Sequence, residues 1–403
     1  MKSLIIKNME KLYQKGLLER PIIIWGVGNQ TSALIQGLRE VKKSENPVSL
    51  IVDNFKHTFW DEYEGIPVKS PQVLCELEKD SFVVLIAVNF AEAIYKQLRS
   101  YDVMHVYNLN NLNEEIVVKK NEIEYQFIDR KKGKENLCYI LAGYGQDIWE
   151  GTLARIEKFQ SREWDYCLVS SGKYDEYLNI MAEKNGWSYL YTAKNQVCCA
   201  QNLVLEHHPE AKYIIKMDED MFIGKDFFHL MLKEYKEIEK KGDYRIGFAV
   251  PVIPLNCSGY ISYLNLIGKR EEFEKKFGRS YRNRFSAVFS VLETAEYLWD
   301  TIDNFDFMAE KFTKNMGWEI IDSYFNIGCI MYTRERWCMM GKWPEDISVS
   351  GMGMDEVTIY EDNMQKDMSI YEIKSVLVGH LAFGHQKGRM MEYYKNNKQK
   401  FCS

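Results

Sequence analysis

Between residues 20 and 108 the chain alternates short apolar runs with amphipathic stretches. "PIIIW" passes through "GVGNQ" into "TSALIQGLREV", whose apolar positions recur at helical spacing, so the pattern predicts strand, turn and helix. "VSLIVDN", "SFVVLIAVN" and "MHVYNL" predict three further strands, with "AEAIYKQLRS" as a helix between the last two. Strands that alternate with helices pair in parallel, because each crossover helix returns the chain to the same end of the sheet. From Asn110 to Glu135 polar residues take over, with "DRKKGKEN" the most charged part, and this stretch is the expected linker. The same polarity would suit a solvated helix face within one continuous domain.

From Leu137 the alternation restarts. "LCYILAGY", "DYCLVSS", "WSYLYT" and "KYIIKM" predict strands, separated by the helical patterns "DIWEGTLARIEKF", "YDEYLNIMAEKN" and "QNLVLEHH". Residues 251–350 are richer in Gly, Tyr and Trp and less periodic, which predicts loops, helices and a few strands built over the sheet. The expected organisation is α/β throughout: a Rossmann-like parallel-sheet domain over 1–109, a linker over 110–135 and a second α/β domain over 136–403.

Composition changes this picture little. A chain of 403 residues exceeds one small core, and 46% hydrophobic with 27% charged residues is ordinary for a globular protein. A formal charge of -6 gives no general footprint for nucleic acid. The nine cysteines are odd in number, scattered and never spaced CxxC, which suits reduced buried thiols better than disulfides or a zinc site. The N-terminal "MKSLIIKNMEKLYQKGLLERP" carries charges every few residues, and no window holds the roughly 18 to 20 apolar residues of a spanning helix. The expectation is a cytoplasmic protein, with peripheral contact at the inner face of a membrane left open.

The first candidate chemistry is "GVGNQT", close to the dinucleotide loop G-x-G-x-x-G, in which glycines let phosphates approach a helix N-terminus. Thr31 stands where the third glycine would be, and Asp53 ends the second strand about where an acidic residue would hold a ribose. Together with "EGIPVKSPQVL", the segment resembles the small Rossmann-like units found beside bacterial sugar-modifying enzymes. That resemblance implies binding of a nucleotide or nucleotide sugar; the other reading is the same fold kept without a ligand.

The second is "KMDEDMFI", which sets Asp218, Glu219 and Asp220 at the end of an apolar strand. Two charges about 4 Å apart repel by roughly 4 kcal/mol at an effective dielectric of about 20. A divalent cation would remove that cost. In extended or turning backbone, residues two apart share a face, so Asp218 and Asp220 are expected on one side with Glu219 turned away. Hard oxygen ligands of this kind suit Mn2+ or Mg2+, with a diphosphate completing the shell. An acidic turn or helix cap would read the same way taken alone.

With the α/β pattern before it, "KMDEDMFI" resembles the DxD motif of GT-A fold glycosyltransferases of the bacterial surface-polysaccharide type, over about residues 137 to 386. The resemblance implies a metal-dependent transfer of a sugar from a nucleotide-diphosphate sugar, with UDP favoured, to a glycan or lipid-linked acceptor. It places the base near Ala142, Gly143 and Tyr144 in "YILAGYGQ" and the nucleoside near Ser170 and Ser171 in "CLVSSGKYD". "KNQVCCAQN" loosely resembles the family's N-x-G-x-x-x-A-R-N segment, with Asn195 and Asn202 matching and Gln201 in place of the arginine. Lys216 and Asp218 complete the expected donor-binding set, and Asp218, Asp220 and His380 the metal set. His380 comes from "SVLVGHLAFGH", with His385 the runner-up.

"GMGMDEVTIYED" resembles the family's late acidic motif. Asp355 is the candidate general base, Glu356 its alternative, and a helix N-cap the plainer reading of Asp355. Direct displacement with Asp355 as base implies inversion at the anomeric carbon. "GKREEFEKKFGRSYRNR" and the tail "HQKGRMMEYYKNNKQK" are basic enough for a lipid-linked diphosphate or an anionic membrane surface, though such runs are usually solvated helix faces. Trp318, Trp337 and Trp343 could floor a sugar site or belong to the core. Two rivals remain: a nicotinamide-dependent oxidoreductase working through the first domain, and a nucleotide-sugar binding protein that catalyses nothing.

Overall fold

The computed structural model describes residues 4–28, 30–87, 92–110, 112, 123–283, 286–323, 325, 327–344 and 355–401. The chain forms two compact units, Met1–Asn121 with Glu335–Lys342, and Glu122–Arg334 with Trp343–Ser403. The short late segment joins the first unit through local packing: the Ser100 hydroxyl donates to the Cys338 carbonyl at 3.3 Å, and Trp337 and Cys338 are buried.

The first unit contains β1 (Ile22–Trp25), β2 (Leu50–Val52), β3 (Glu62–Tyr63), β4 (Ile66–Lys69), β5 (Val83–Ile86) and β6 (Val106–Asn108). They form one sheet in the order β3-β4-β2-β1-β5-β6, parallel except for the β3–β4 hairpin. Ile22, Ile24, Ile51, Val83 and Leu85 pack with Leu34, Ile35 and Leu38 of the helix Thr31–Lys42 in its core. Buried on both faces, these strands are the near-continuous apolar runs that the sequence pattern picks out. The β3–β4 hairpin escapes that pattern. Its turn places Glu64 and Gly65 at φ 51° and 77°, a job usually given to Asn-Gly, so "EG" carries little signal.

The second unit contains β7 (Tyr125–Ile128), β8 (Asn136–Leu141), β9 (Trp164–Ser170), β10 (Ser188–Thr192), β11 (Tyr213–Asp218), β12 (Met221–Phe222), β13 (Arg245–Val252), β14 (Trp318–Ile321), β15 (Cys329–Thr333), β16 (Met368–Leu377) and β17 (Gly379–His380). Nine of them make a mixed sheet in the order β14-β16-β13-β15-β11-β8-β9-β10-β7, and β12 pairs with β17 separately. The middle of the sheet, β11-β8-β9-β10, is parallel. β15 runs antiparallel between β11 and β13, so a stretch read as mostly loops and helices supplies a central strand. The expected linker also needs correction. Its residues Tyr125–Ile128 form β7, an edge strand paired antiparallel with β10.

Within β11 every residue but the last is buried, including Lys216 at 2 % exposure. A buried lysine in an apolar strand demands a partner nearby, and β11 ends on one.

Candidate functional site

The strand ends of β8, β9 and β11 open on one side of the parallel core, where crevices form in α/β sheets. Three carboxylates leave β11 there, and each meets a different partner. Asp218 Oδ1 lies 2.7 Å from Lys216 Nζ, which also donates to the Ile327 carbonyl at 2.8 Å. Glu219 accepts from the backbone N–H groups of Gly143 at 2.8 Å and Tyr144 at 3.1 Å, and from the Trp149 indole at 2.7 Å. Asp220 Oδ2 lies 3.3 Å from His380 Nε2. The repulsion that the sequence poses is thus divided among three partners.

Lys216 was expected to touch a donor; its ammonium is instead buried and committed to Asp218 and Ile327. Burial works against its charge, yet Asp218 beside it holds its pKa above the ordinary lysine value. Burial lifts the Asp218 carboxyl to about 7, with Lys216 opposing and Asp220 reinforcing. Asp220 moves the other way. Burial there is overcome by the His380 charge and hydrogen bond, which hold the carboxyl below the usual range and raise His380 in return.

β12 and β17 bring Asp220 and His380 together. Met221 pairs with His380 and Phe222 with Gly379, and a Cβ on Gly379 would come within 2.7 Å of Trp299 and 3.0 Å of Phe305. The Nδ1 of His380 faces the Leu255 carbonyl at 2.8 Å and the Trp299 indole donates to the His380 carbonyl at 3.1 Å. Nδ1–H donates to the Leu255 carbonyl and Nε2 shares its proton with Asp220; displacement of that proton by a bound cation would leave the Nε2 lone pair as a ligand, the tautomer a metal-binding histidine uses. His385 lies exposed against Phe289 on the turn Gly384–Gln386 and lines neither cavity of the site.

Asp218, Asp220 and His380 line one cavity of about 320 Å3, together with Glu356, Asn256, Gly328 and Lys387. A second, of about 160 Å3, adjoins it and is lined by Tyr144, Gly145, Gln146, Glu219, Asp220 and Lys387. Asp220, Ala382 and Lys387 are common to both. Lys387 was read only as part of a basic tail. Its role as a shared wall comes from the turn that follows His380, which periodicity does not reveal.

Among the described residues no group of three His, Cys, Asp or Glu side chains forms a ready-made metal cage. The donors that are present still fit a hard divalent ion in part. The 3.3 Å between Asp220 Oδ2 and His380 Nε2 suits neighbouring ligands of an octahedral ion, which at bond lengths of about 2.0–2.1 Å lie about 3 Å apart. Such ions take the rest of their shell from water and phosphate.

The two candidate bases separate. Asp355 is only 6 % exposed, accepts from the Gln201 amide at 3.0 Å, and takes the backbone N–H of Glu356 at 3.1 Å. Gln201 accepts in turn from the Tyr139 hydroxyl, which meets Tyr332 at 2.9 Å. Asp355 therefore ends a buried polar chain at the start of the helix Asp355–Gln365, and Glu356 is the carboxylate on the cavity wall. The preceding "GMGM", residues 351–354, lies outside the described residues.

The remaining expected contacts disperse. Tyr144 lines the smaller cavity, its hydroxyl on the Ser171 carbonyl at 2.7 Å and Lys173 over its ring. Gly143 and Tyr144 sit where a base was expected, but their N–H groups are spent on Glu219. Ala142 donates to Val169 in the sheet. Ser170 is fully buried beneath Tyr189, Ser171 accepts from the Gln196 backbone at 2.8 Å, and exposed Asn195 packs on Gly172; none lines either cavity. Asn202 is buried and pairs both ways with the Trp343 backbone at 2.9 Å, so it makes no sugar contact. Trp337 and Trp343 are core residues.

In the basic run Lys269 pairs with Glu272, Arg270 with Glu274 and Arg282 with Glu319, Lys276 lies over the Phe277 and Tyr297 rings and Arg279 over Tyr281, and Arg284 lies outside the described residues. In the tail, Arg389 pairs with Glu293 and Glu296, and Lys398 with Glu150. Among the described residues no helix is long and apolar enough to cross a membrane.

In the first unit the glycine turn is closed on itself. The Val27 N–H donates to Asp53 Oδ2 at 2.9 Å, and Phe55 and Lys56 donate to Asp53 Oδ1 at 2.9 and 2.8 Å. The Gly28 N–H donates to the Thr31 hydroxyl at 2.7 Å, and Lys56 caps the Val27 carbonyl. Asp53, expected near a ribose, is thus committed to backbone. Asn29 of the fingerprint lies outside the described residues.

No family model matches the chain, and no curated protein matches it. Among solved structures it is similar to GalNAc-T7 with UDP, GalNAc and Mn2+, at 13% identity and a TM-score of 0.38, over 70% of this chain and 49% of that one. It is also similar to the mannosyltransferase PcManGT from Pyrobaculum calidifontis with GDP-Man and Mn2+, at 13% identity and a TM-score of 0.37, over 66% of this chain and 62% of that one. The chain thus matches about half and about three fifths of the lengths of these two proteins. Likeness at this level assigns no chemistry to the chain, whose own geometry has to supply it.

Proposed function

We propose that the second unit is a GT-A-like, metal-dependent glycosyltransferase that moves a sugar from a nucleotide-diphosphate sugar, UDP-linked by preference, to a hydroxyl of a glycan acceptor. The observation that carries this is the cavity where Asp218, Asp220 and His380 converge with Glu356 and Lys387 on its wall. Asp220 and His380, with the second oxygen of Asp218, would hold Mn2+ or Mg2+, and a cation there would supply positive charge to offset the negative charge growing on the leaving diphosphate. The Lys387 ammonium, shared by both cavities, meets the same diphosphate.

Glu356 takes the proton of the acceptor hydroxyl as its oxygen forms a bond to the anomeric carbon and the bond to the diphosphate breaks. One displacement of this kind inverts the anomeric centre. Asp355, which the sequence offers equally, has both oxygens engaged and holds the helix that carries Glu356. Surface-polysaccharide synthesis in a bacterial cytoplasm is the setting that the sequence resemblance implies. Lys269, Arg270 and Arg282 of the basic run are paired within the protein and are not set aside for a lipid-linked diphosphate.

The test is turnover of a panel of UDP-, GDP- and CDP-sugars, with and without Mn2+, read by mass spectrometry of the released nucleotide and any glycan product. Metal-dependent release from one donor, lost in Glu356→Gln, supports the reading. Donor binding without release under any acceptor tried favours the binding-protein alternative, and metal-independent release contradicts the site.

A further inference from the structure

The middle carboxylate of the triplet has no part in the proposed metal set, yet it makes more hydrogen bonds than either neighbour. Glu219 Oε2 receives Gly143 N–H at 2.8 Å and the Trp149 indole at 2.7 Å, while Oε1 receives Tyr144 N–H at 3.1 Å. Its own carbonyl receives the Thr152 hydroxyl at 2.6 Å. Successive backbone N–H groups that converge in this way form an anion-binding concavity. Here the anion is a side chain of the same protein.

The close approach is built into the sequence around it. Gly143 sits at φ +145°, a conformation that side-chain-bearing residues avoid, and a Cβ on Gly145 would fall 2.9 Å from the Glu219 carboxyl carbon. Trp149 is buried and stacks on Tyr177 with ring centroids 5.4 Å apart, so its indole N–H is fixed in direction. The loop that follows β8 and the turn that follows β11 are therefore tied through one carboxylate, flanked on both sides by the residues of the metal set.

We propose that Glu219 is a positioning residue that couples the two halves of the donor site: it fixes the 143–145 loop, on the nucleoside side, to the Asp218–Asp220 turn, on the diphosphate side. This rests on the donor-site reading above and goes beyond it, since it assigns nucleoside affinity to a residue outside the metal set, through the loop it holds. The loop's N–H groups hold Glu219, and a nucleoside meets the Tyr144 ring and the loop's outer face. Without Glu219 those N–H groups lose their charged acceptor and the loop loses its register against the metal turn.

The experiment compares two probes on the full chain by calorimetry in Mn2+: pyrophosphate, which needs only the metal side, and UDP, which needs both sides. Glu219→Gln is expected to weaken UDP by about 10- to 100-fold, the order a misplaced positioning contact costs, with pyrophosphate unchanged. Trp149→Phe removes one of the bonds and keeps an aromatic ring, and a smaller loss in the same direction is expected even if Glu219→Gln folds poorly. Equal loss of both probes, or loss of neither, would overturn the coupling and leave Glu219 a purely structural residue. If the wild type binds neither probe, the donor-site reading fails first and the coupling with it, a result distinct from a selective or unselective effect of the substitutions.

Discussion

Each unit of this chain puts acidic residues at the carboxyl end of a buried strand, Asp53 after β2 and Asp218 with Asp220 at and after β11. The two sets are used in opposite ways. Asp53 accepts three backbone N–H groups and closes the glycine turn, which is itself satisfied by Thr31 and Lys56. Asp218 and Asp220 each have one basic partner and keep a face on a cavity. The position of a carboxylate on a fold thus says little about its task, and what decides is how many of its lone pairs the protein has already used. The first turn is finished as it stands; the second has room for a ligand.

Asp220→Asn bears hardest on this contrast. It removes the charge that faces His380, and metal-dependent binding of a nucleoside diphosphate should fall by about 100-fold or more in a calorimetric titration, at the upper end of what loss of a metal-site group costs. Next comes Glu356→Gln. Turnover should drop by about 10²- to 10⁴-fold, the usual share of a general base, while donor affinity holds. Asp355→Asn should instead lower thermal stability, because it disturbs the buried chain through Gln201 and Tyr139.

Asp53→Asn asks the same question of the first unit. It should destabilise the fold by about 1 kcal/mol in a denaturant titration, as expected when part-buried backbone N–H groups lose a charged acceptor, and leave donor binding alone. An effect on donor binding would mean that the two units do not divide the work as described.

A further effect, on stability alone, lies away from both sites. Glu372 is fully buried in β16, and burial pushes its pKa from 4.5 to about 8, with the Ser262 hydroxyl and then the Arg282 charge pulling the other way. A folded-state pKa above the unfolded value means stability present at low pH and lost as pH rises. Wild type should therefore lose stability relative to Glu372→Gln between about pH 4.5 and 8, by up to roughly 1.4 kcal/mol per pH unit, and the difference should level off above pH 8. Thermal melts of both proteins from pH 4 to 9 read this directly.

Much of the architecture was legible in the sequence because parallel strands buried on both faces are unbroken apolar runs, as in β1, β5, β8 and β9. The hairpin at Glu64 and Gly65 was not, since its turn uses an uncommon residue pair, and β7 was hidden by its polar, half-exposed edge position. In the candidate site, the acidic triplet stood out because charge at a strand end is costly. Its partners did not. Lys216 is two residues from Asp218 and reads as an external contact until its burial is known, while Glu219 bonds to backbone 75 residues away, which leaves no side-chain pattern. Asp355 and Glu356 are neighbours in sequence and are separated only by which one a helix start turns inward.

The most direct test of the contrast is one set of calorimetric titrations: UDP and NAD, each with and without Mn2+, against wild type, Asp220→Asn and Asp53→Asn. UDP binding that requires Mn2+, disappears in Asp220→Asn and survives in Asp53→Asn is the predicted result. Binding of NAD that Asp53→Asn abolishes and Asp220→Asn leaves intact would contradict it, and would make the closed turn of the first unit the working site.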